Sequence, residues 1–196
     1  MTQTASNGRQ ILTREEYLEM EAQSESKSEF YGGQIFAMTG GSPRHSQICI
    51  NVIRRVAEAI DHRDCRCFES NMKLEIVQAQ AFVYPDVMVV CGDIELVRST
   101  TDAIINPVLI VEVLSPSTES FDRGKKFEYY RMVPSLREYV LISQKTPIVE
   151  SYYKQDESHW TYTVTKGLDQ SIPIQTLDRE LALGDLYLKV DGIIIP

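Results

Sequence analysis

Two carboxylates interrupt apolar runs in this sequence. Asp86 lies within "FVYPDVMVV" (82–90) and Glu112 within "PVLIVEVL" (107–114). Burying an unpaired carboxylate costs on the order of several kcal/mol, so each needs a compensating group. Strands that are apolar on both faces are central strands covered by helices. If these two strands are neighbours, both side chains can meet at one end of a sheet. Two ionised carboxylates cannot sit close in an apolar setting without a cation. A hard divalent ion with oxygen ligands, Mg²⁺ or Mn²⁺, resolves the conflict. Separate Arg or Lys partners for each carboxylate would also resolve it.

A lysine follows. Asp122, Lys126 and Tyr130 are spaced i, i+4, i+8, close to one face of a helix. The loop 115–121 returns the chain to the strand end that carries Glu112, so Lys126 can reach it. An ammonium beside a metal-bound water can orient that water and stabilise developing negative charge. The plainer alternative is an Asp122–Lys126 surface pair, worth about a few tenths of a kcal/mol.

These residues need elements to hold them. Thr13 and Glu16 form a capping box, which predicts a helix near 14–23. "SKSEFYGGQIFAMTG" reads as a hairpin about Gly32-Gly33. Ser42-Pro43 suits the N-cap and first position of a helix over 43–61. Its stripe carries Cys49, Val52, Ile53, Val56 and Ile60, with His45 on the same stripe one turn before Cys49. "CRCFES" and "MKLEIV" are strands, and so are 82–90 and 107–114. Ser120 or Asp122 can cap a helix running to Met132, which Pro134 stops. "REYVLIS" is a buried strand, "PIVESYYK" and "HWTYTVT" form an antiparallel pair, and "LGDLYLKV" holds a short final helix. This order predicts an α/β fold: a central mixed β-sheet flanked by helices, with an N-terminal hairpin and a C-terminal antiparallel extension. Residues 1–12 are polar and expected to be flexible, and 13–196 are expected to form one domain.

Composition narrows the function classes. The 196 residues carry a formal net charge of −8. That argues against nonspecific coating of nucleic acid, but it leaves room for an enzyme with a local cationic cleft and a metal ion. No run approaches the roughly 18 apolar residues of a membrane span, and "MTQTASNGRQ" is no secretory signal. The expected location is cytoplasmic. Cys49, Cys65, Cys67 and Cys91 show no CxxC pair and are expected to be free thiols in a reducing compartment. Walker, GxGxxG and GxSxG motifs are absent.

The whole pattern resembles a known one. Pro85-Asp86, then "VEVLSPST" from Val111 to Thr118, then "DRGKKFEYY" and "PSLREYVLI" are similar to the Uma-type restriction endonuclease family of the PD-(D/E)XK nuclease superfamily. The resemblance runs from Thr13 to Leu186. It implies a restriction-endonuclease-like fold and metal-dependent phosphodiester hydrolysis, with Asp86 and Glu112 as metal ligands. In the superfamily motif the lysine stands two residues after the acidic residue. Leu114 occupies that position here, and Lys126 matches the family's displaced lysine. Lys125 lies about 100° around the helix, and Lys73 is a runner-up from an earlier strand. The resemblance also matches His45, as a group near phosphate or metal-bound water or as a structural histidine, and Glu29, as a further acidic ligand or a helix-start partner. Tyr130 is expected to pack below Lys126, and Ser115 and Ser117 to shape the turn.

The reading is a Mg²⁺-dependent (Mn²⁺ possible) DNA endonuclease using a metal-activated water, working as a homodimer on duplex DNA and not at a membrane. Its alternative is a catalytically inactive nuclease-fold module that binds nucleic acid or a protein partner. A hydrolase built on Ser115 lacks a nucleophile elbow.

Overall fold

The structure is a computed structural model that describes residues 3–4, 10–38, 40–97, 103–116 and 118–195. A short antiparallel pair, β1 (Gln3–Thr4) and β2 (Gln10–Ile11), precedes helix α1 (Arg14–Gln23). The capping box forms as expected. The Glu16 N–H donates to Thr13 Oγ1 at 3.1 Å, and the Thr13 N–H donates to Glu16 Oε2 at 2.8 Å. Strands β3 (Ser28–Tyr31) and β4 (Gln34–Ala37) then make the hairpin. Gly32 and Gly33 turn it with φ of 60° and 75°, values a side chain would disfavour. The Ser42 hydroxyl caps helix α2 (Pro43–Ile60) by accepting from the His45 N–H at 3.1 Å. That cap fixes His45 in the first turn.

The rest of the chain builds the sheets. Strands β5 (Cys65–Glu69), β6 (Leu74–Ile76), β7 (Ala81–Val83), β8 (Val87–Cys91) and β9 (Leu109–Leu114) come first. One helical run follows: α3 (Glu119–Phe121), a π-helical stretch (Asp122–Lys126) and α4 (Phe127–Tyr130). Strands β10 (Glu138–Ser143), β11 (Ile148–Lys154), β12 (Trp160–Lys166), β13 (Ser171–Ile174) and β14 (Arg179–Ala182) lead to α5 (Leu183–Leu186).

Six strands form the central sheet in the order β12-β11-β10-β9-β8-β5. It is mixed: β9 and β10 run parallel, and the other neighbours antiparallel. Alternation along β8 and β9 divides the core. Val87, Val89, Leu109, Val111 and Val113 pack under Ile48, Val52, Val56 and Ile60 of α2. The opposite face presents Met88, Val90, Ile110 and Leu114 to Leu74, Ile76, Ala81 and Val83, and to Tyr130 at the end of the helical run. A second, antiparallel sheet, β4-β3-β7-β6, lies on that side. The pair β13–β14 and α5 add Ile172, Leu181 and Leu186 to the α2 side.

Several expectations change. Residues 82–90 are two strands, not one: β7 belongs to the second sheet and β8 to the central one. Pro85 lies between them. It has no N–H for either ladder, so the chain changes sheet there. The helix expected from Ser120 or Asp122 to Met132 starts at Glu119 and ends at Tyr130, which leaves both proposed caps inside it. The cap position falls to Thr118, and the Asp122 side chain turns toward Lys126. Cys65 and Cys91 are a disulfide and not free thiols, because the β5–β8 register sets them directly opposite. Cys49 and Cys67 are free. The pairing removes the cysteine argument for a reducing compartment. Of the N-terminus expected to be flexible, residues 1, 2 and 5–9 lie outside the described residues, as does Ser117. The Leu12 N–H donates to Gly33 O at 2.9 Å, which ties the chain to the hairpin. Among the described residues no helix is long and apolar enough to cross a membrane.

Ile48 is fully buried under the central sheet. Ile48→Ala should therefore lower unfolding free energy by about 2–5 kcal/mol in urea titrations. A loss below about 1 kcal/mol would show that this face is not closely packed.

Candidate active site

The site begins where the β8–β9 ladder stops. Val87 pairs with Val111, so the next pair outward sets Asp86 against Glu112. The Pro85–Asp86 step ends β8 there, and the Asp86 side chain takes over from the backbone. Asp86 Oδ2 accepts from the Val113 N–H at 2.8 Å, and the Asp86 N–H donates to Glu112 Oε2 at 3.4 Å. The two carboxylates thus stand at one end of neighbouring strands, as their positions in apolar runs imply. On the α2 side, His45 Nε2 lies 3.2 Å from Asp86 Oδ2.

Alternation sends Glu112 to the other face of the sheet, toward the helical run. Lys126 Nζ lies 2.9 Å from Glu112 Oε1, 3.1 Å from Glu29 Oε1 and 3.8 Å from Asp122 Oδ1. Glu112 and Lys126 are 4% and 6% exposed, so this is no surface pair. The π-helical stretch spans Asp122 to Lys126, a widened turn of the kind found at functional sites. Tyr130 OH donates to Glu112 Oε1 at 2.6 Å. Tyr31 OH donates to Glu29 Oε2 at 2.9 Å, and the Tyr84 N–H donates to Glu29 Oε1 at 3.2 Å.

Charge is out of balance here. Glu29, Glu112 and Asp122 surround one ammonium, and Asp86 stands beside Glu112, with His45 as the other ionisable base. Burial pushes the Glu112 carboxyl up to about 8; Lys126 opposes this, while Asp86, Asp122 and Glu29 add to it. Burial likewise raises Asp122. For Lys126 burial works against the charged form, but Glu112, Tyr130, Glu29 and Asp122 outweigh it and hold the ammonium. The Asp86 hydrogen bond raises His45 and outweighs its burial. A largely buried carboxylate set in surplus over its cations is what a hard divalent ion would neutralise. Asp86 and Glu112 offer it oxygen donors from two strands.

The other candidates are placed as follows. Lys73 is not in the cluster: its Nζ lies over the rings of Tyr17 and Tyr84, each at 5.6 Å, and of Phe82 at 5.9 Å. Lys125 pairs with Glu128 at 2.7 Å on the exposed face. Tyr130 does more than pack, since it bonds Glu112. Glu29 partners the lysine and not a helix start. Ser115 shapes the turn, with its Oγ accepting from the Thr118 N–H at 3.2 Å. Two residues of the cluster were not singled out from sequence: Tyr31, and Cys49, whose Sγ lies 3.5 Å from His45 Nδ1. The i, i+4 spacing of His45 and Cys49 was the available signal for the second.

A mixed central sheet, with paired carboxylates at one strand end and a lysine brought in from the following helix, defines a protein of the restriction-endonuclease-like fold. A crystal structure from Anabaena variabilis, described as that of a "putative nuclease belonging to DUF820", matches it with a TM-score of 0.72. The match covers 90% of this chain and 97% of that one at 20% identity. The chain belongs to the Uma2 family, described as "Putative restriction endonuclease", whose profile matches residues 14–186. Two relatives come from Synechocystis sp., the uncharacterised proteins slr1290 and sll1609. They are 41% and 39% identical, over 90% and 83% of this chain and 91% and 92% of their own lengths.

The raised Glu112 carboxyl has a stability consequence. The folded state holds a proton that the unfolded chain has lost, so the contribution is present below about 4.5 and is lost as pH rises through about 8. In chelator, Glu112→Gln should melt progressively higher relative to wild type as pH rises across that window. Parallel melting curves across the window would contradict the placement of Glu112.

Proposed function

We propose that the protein is a divalent-metal-dependent DNA endonuclease that hydrolyses phosphodiester bonds. The observation that carries this reading is the pairing of Asp86 and Glu112 at one strand end beside the buried Lys126 ammonium. Asp86 and Glu112 would hold the ion, Mg²⁺ or Mn²⁺. Bound there, it would supply an activated water and neutralise charge at the phosphate.

The chain's own groups do the rest. The Val113 N–H fixes one Asp86 oxygen and leaves the other available. Tyr130 holds Glu112 in orientation. Glu29 and Asp122 keep Lys126 charged and pointed at the strand end, where its ammonium can orient the attacking water or stabilise the negative charge that grows on phosphate. His45 steadies Asp86 and can pass a proton. With a net charge of −8 the chain does not attract DNA strongly, so the bound ion together with Lys126 would have to attract the phosphate. Cutting both strands of a duplex suits a two-fold pair of chains. Residues 13–196 would act as one nuclease-like domain, and a cytoplasmic location would suit a DNA substrate.

One observation favours the second reading, an inactive nuclease-fold module that binds nucleic acid or a protein. Lys126 is already committed to Glu112 and Glu29, so a cation must compete with it. A cleavage assay separates the two. Supercoiled and single-stranded DNA are incubated with Mg²⁺, Mn²⁺ or chelator, using wild type, Asp86→Ala and Lys126→Met. The proposal expects metal-dependent nicking by wild type, reduced about 100-fold or more in each variant. Nicking by Asp86→Ala at the wild-type rate would refute the site, and a wild type inert with every ion would favour the binding module.

A further inference from the structure

One cluster that shares Asp86 with the proposed metal pair holds a thiol that the nuclease reading does not use. His45 and Cys49 stand one turn apart on α2, and Asp86 faces them from the start of β8. Cys49 Sγ is 3.5 Å from His45 Nδ1, and His45 Nε2 is 3.2 Å from Asp86 Oδ2. One donor atom from each of the three lies within 4.8 Å of the others.

We propose that His45, Cys49 and Asp86 form a binding site for a thiophilic divalent transition ion of the zinc class. The donor set is one nitrogen, one sulfur and one carboxylate oxygen. Donors on a tetrahedral zinc stand roughly 3.3–3.8 Å apart, as its bond lengths require. The two short contacts use different ring nitrogens, so with one nitrogen per imidazole the donors lie within 4.8 Å, and a turn of the imidazole that presents one nitrogen to the shared centre would close them toward that spacing. Three protein donors leave a fourth position open, the arrangement of a zinc site that takes water or a ligand. The sulfur sets the ion class, because Mg²⁺ and Mn²⁺ prefer oxygen and thiolate selects softer ions. Binding forms a metal–sulfur bond and releases the Cys49 thiol proton to solvent, with no change of oxidation state. Burial raises the Cys49 thiol, so without an ion it stays protonated. No CxxC pair is needed, since a helix turn and a strand end supply the three ligands. Asp86 belongs to both constellations, so an ion held here withdraws it from Glu112. If the nuclease reading holds, zinc then inhibits cleavage.

Cobalt(II) is the probe, titrated into the full chain without DNA and without thiol reductant, so that Cys65 and Cys91 remain paired. The expected result is a thiolate-to-cobalt charge-transfer band that saturates at one ion per chain and is displaced by zinc. Cys49→Ser should lose the band and bind cobalt at least about tenfold more weakly, whereas Cys67→Ser should keep both. Far-ultraviolet circular dichroism shows that each variant is folded, and Cys49→Ala repeats the test if Cys49→Ser is not. Absence of the band in wild type, or an equal band in Cys49→Ser, overturns the site. The readout needs no cleavage. A band without Mg²⁺-driven nicking keeps this site and removes the nuclease reading, and nicking without a band does the reverse.

Discussion

The buried ammonium of Lys126 is the interaction on which the site depends. It lies between Glu112 and Glu29, with Asp122 one helical turn away. Those carboxylates come from three places: β9 of the central sheet, β3 of the second sheet, and the helical run between β9 and β10. A buried charge left without a partner is costly. The cluster therefore holds the two sheets and the helix in one arrangement. Tyr130 and Tyr31 add hydroxyl donors to the same carboxylates, so neither Glu112 nor Glu29 can drift without leaving a buried polar group unpaired.

The lysine alone does not balance the charge. Asp86 adds a fourth carboxylate at the strand end, and the Glu112 carboxyl, raised chiefly by its burial, is pushed further by Asp86 and the other carboxylates. The protein thus holds an acidic surplus at the point where a sheet ends and two backbones part. Such a surplus disfavours folding on its own, which is why it reads as a site and not as scaffolding. Pro85 creates the opening. By denying an N–H to both sheets it ends β8, and the Asp86 carboxylate takes the Val113 N–H in place of a strand partner.

Features set by local chemistry were legible in the sequence. The Thr13–Glu16 capping box, the Gly32-Gly33 turn and the Ser42-Pro43 start all form where the residue pattern puts them. The pairing of Asp86 with Glu112 was legible too, because a carboxylate in an apolar strand demands a partner. Lys126 could be placed by its spacing from Asp122. Features that depend on register or on a third element were not legible. The Cys65–Cys91 bond needs β5 beside β8 in one register, and nothing across their sequence separation of 26 signals that. The chain's change of sheet at Pro85 looked like one strand, because both halves are apolar. Cys49 read as core because it lies on the apolar stripe of α2, and only Asp86 arriving from β8 gives it a second meaning. The π-helical stretch, Asp122 to Lys126, was not legible either, since the partners of Lys126, Glu112 and Glu29, come from two other elements.

The central claim is that Asp86 and Glu112 together hold a divalent cation. Isothermal titration of Mn²⁺ into metal-free protein tests it most directly, with wild type and Glu112→Gln compared at a pH above 8, where the Glu112 carboxyl is ionised. The expected result is saturable binding by wild type that weakens at least about tenfold in the variant. Superimposable isotherms, or no heat from wild type, would contradict it.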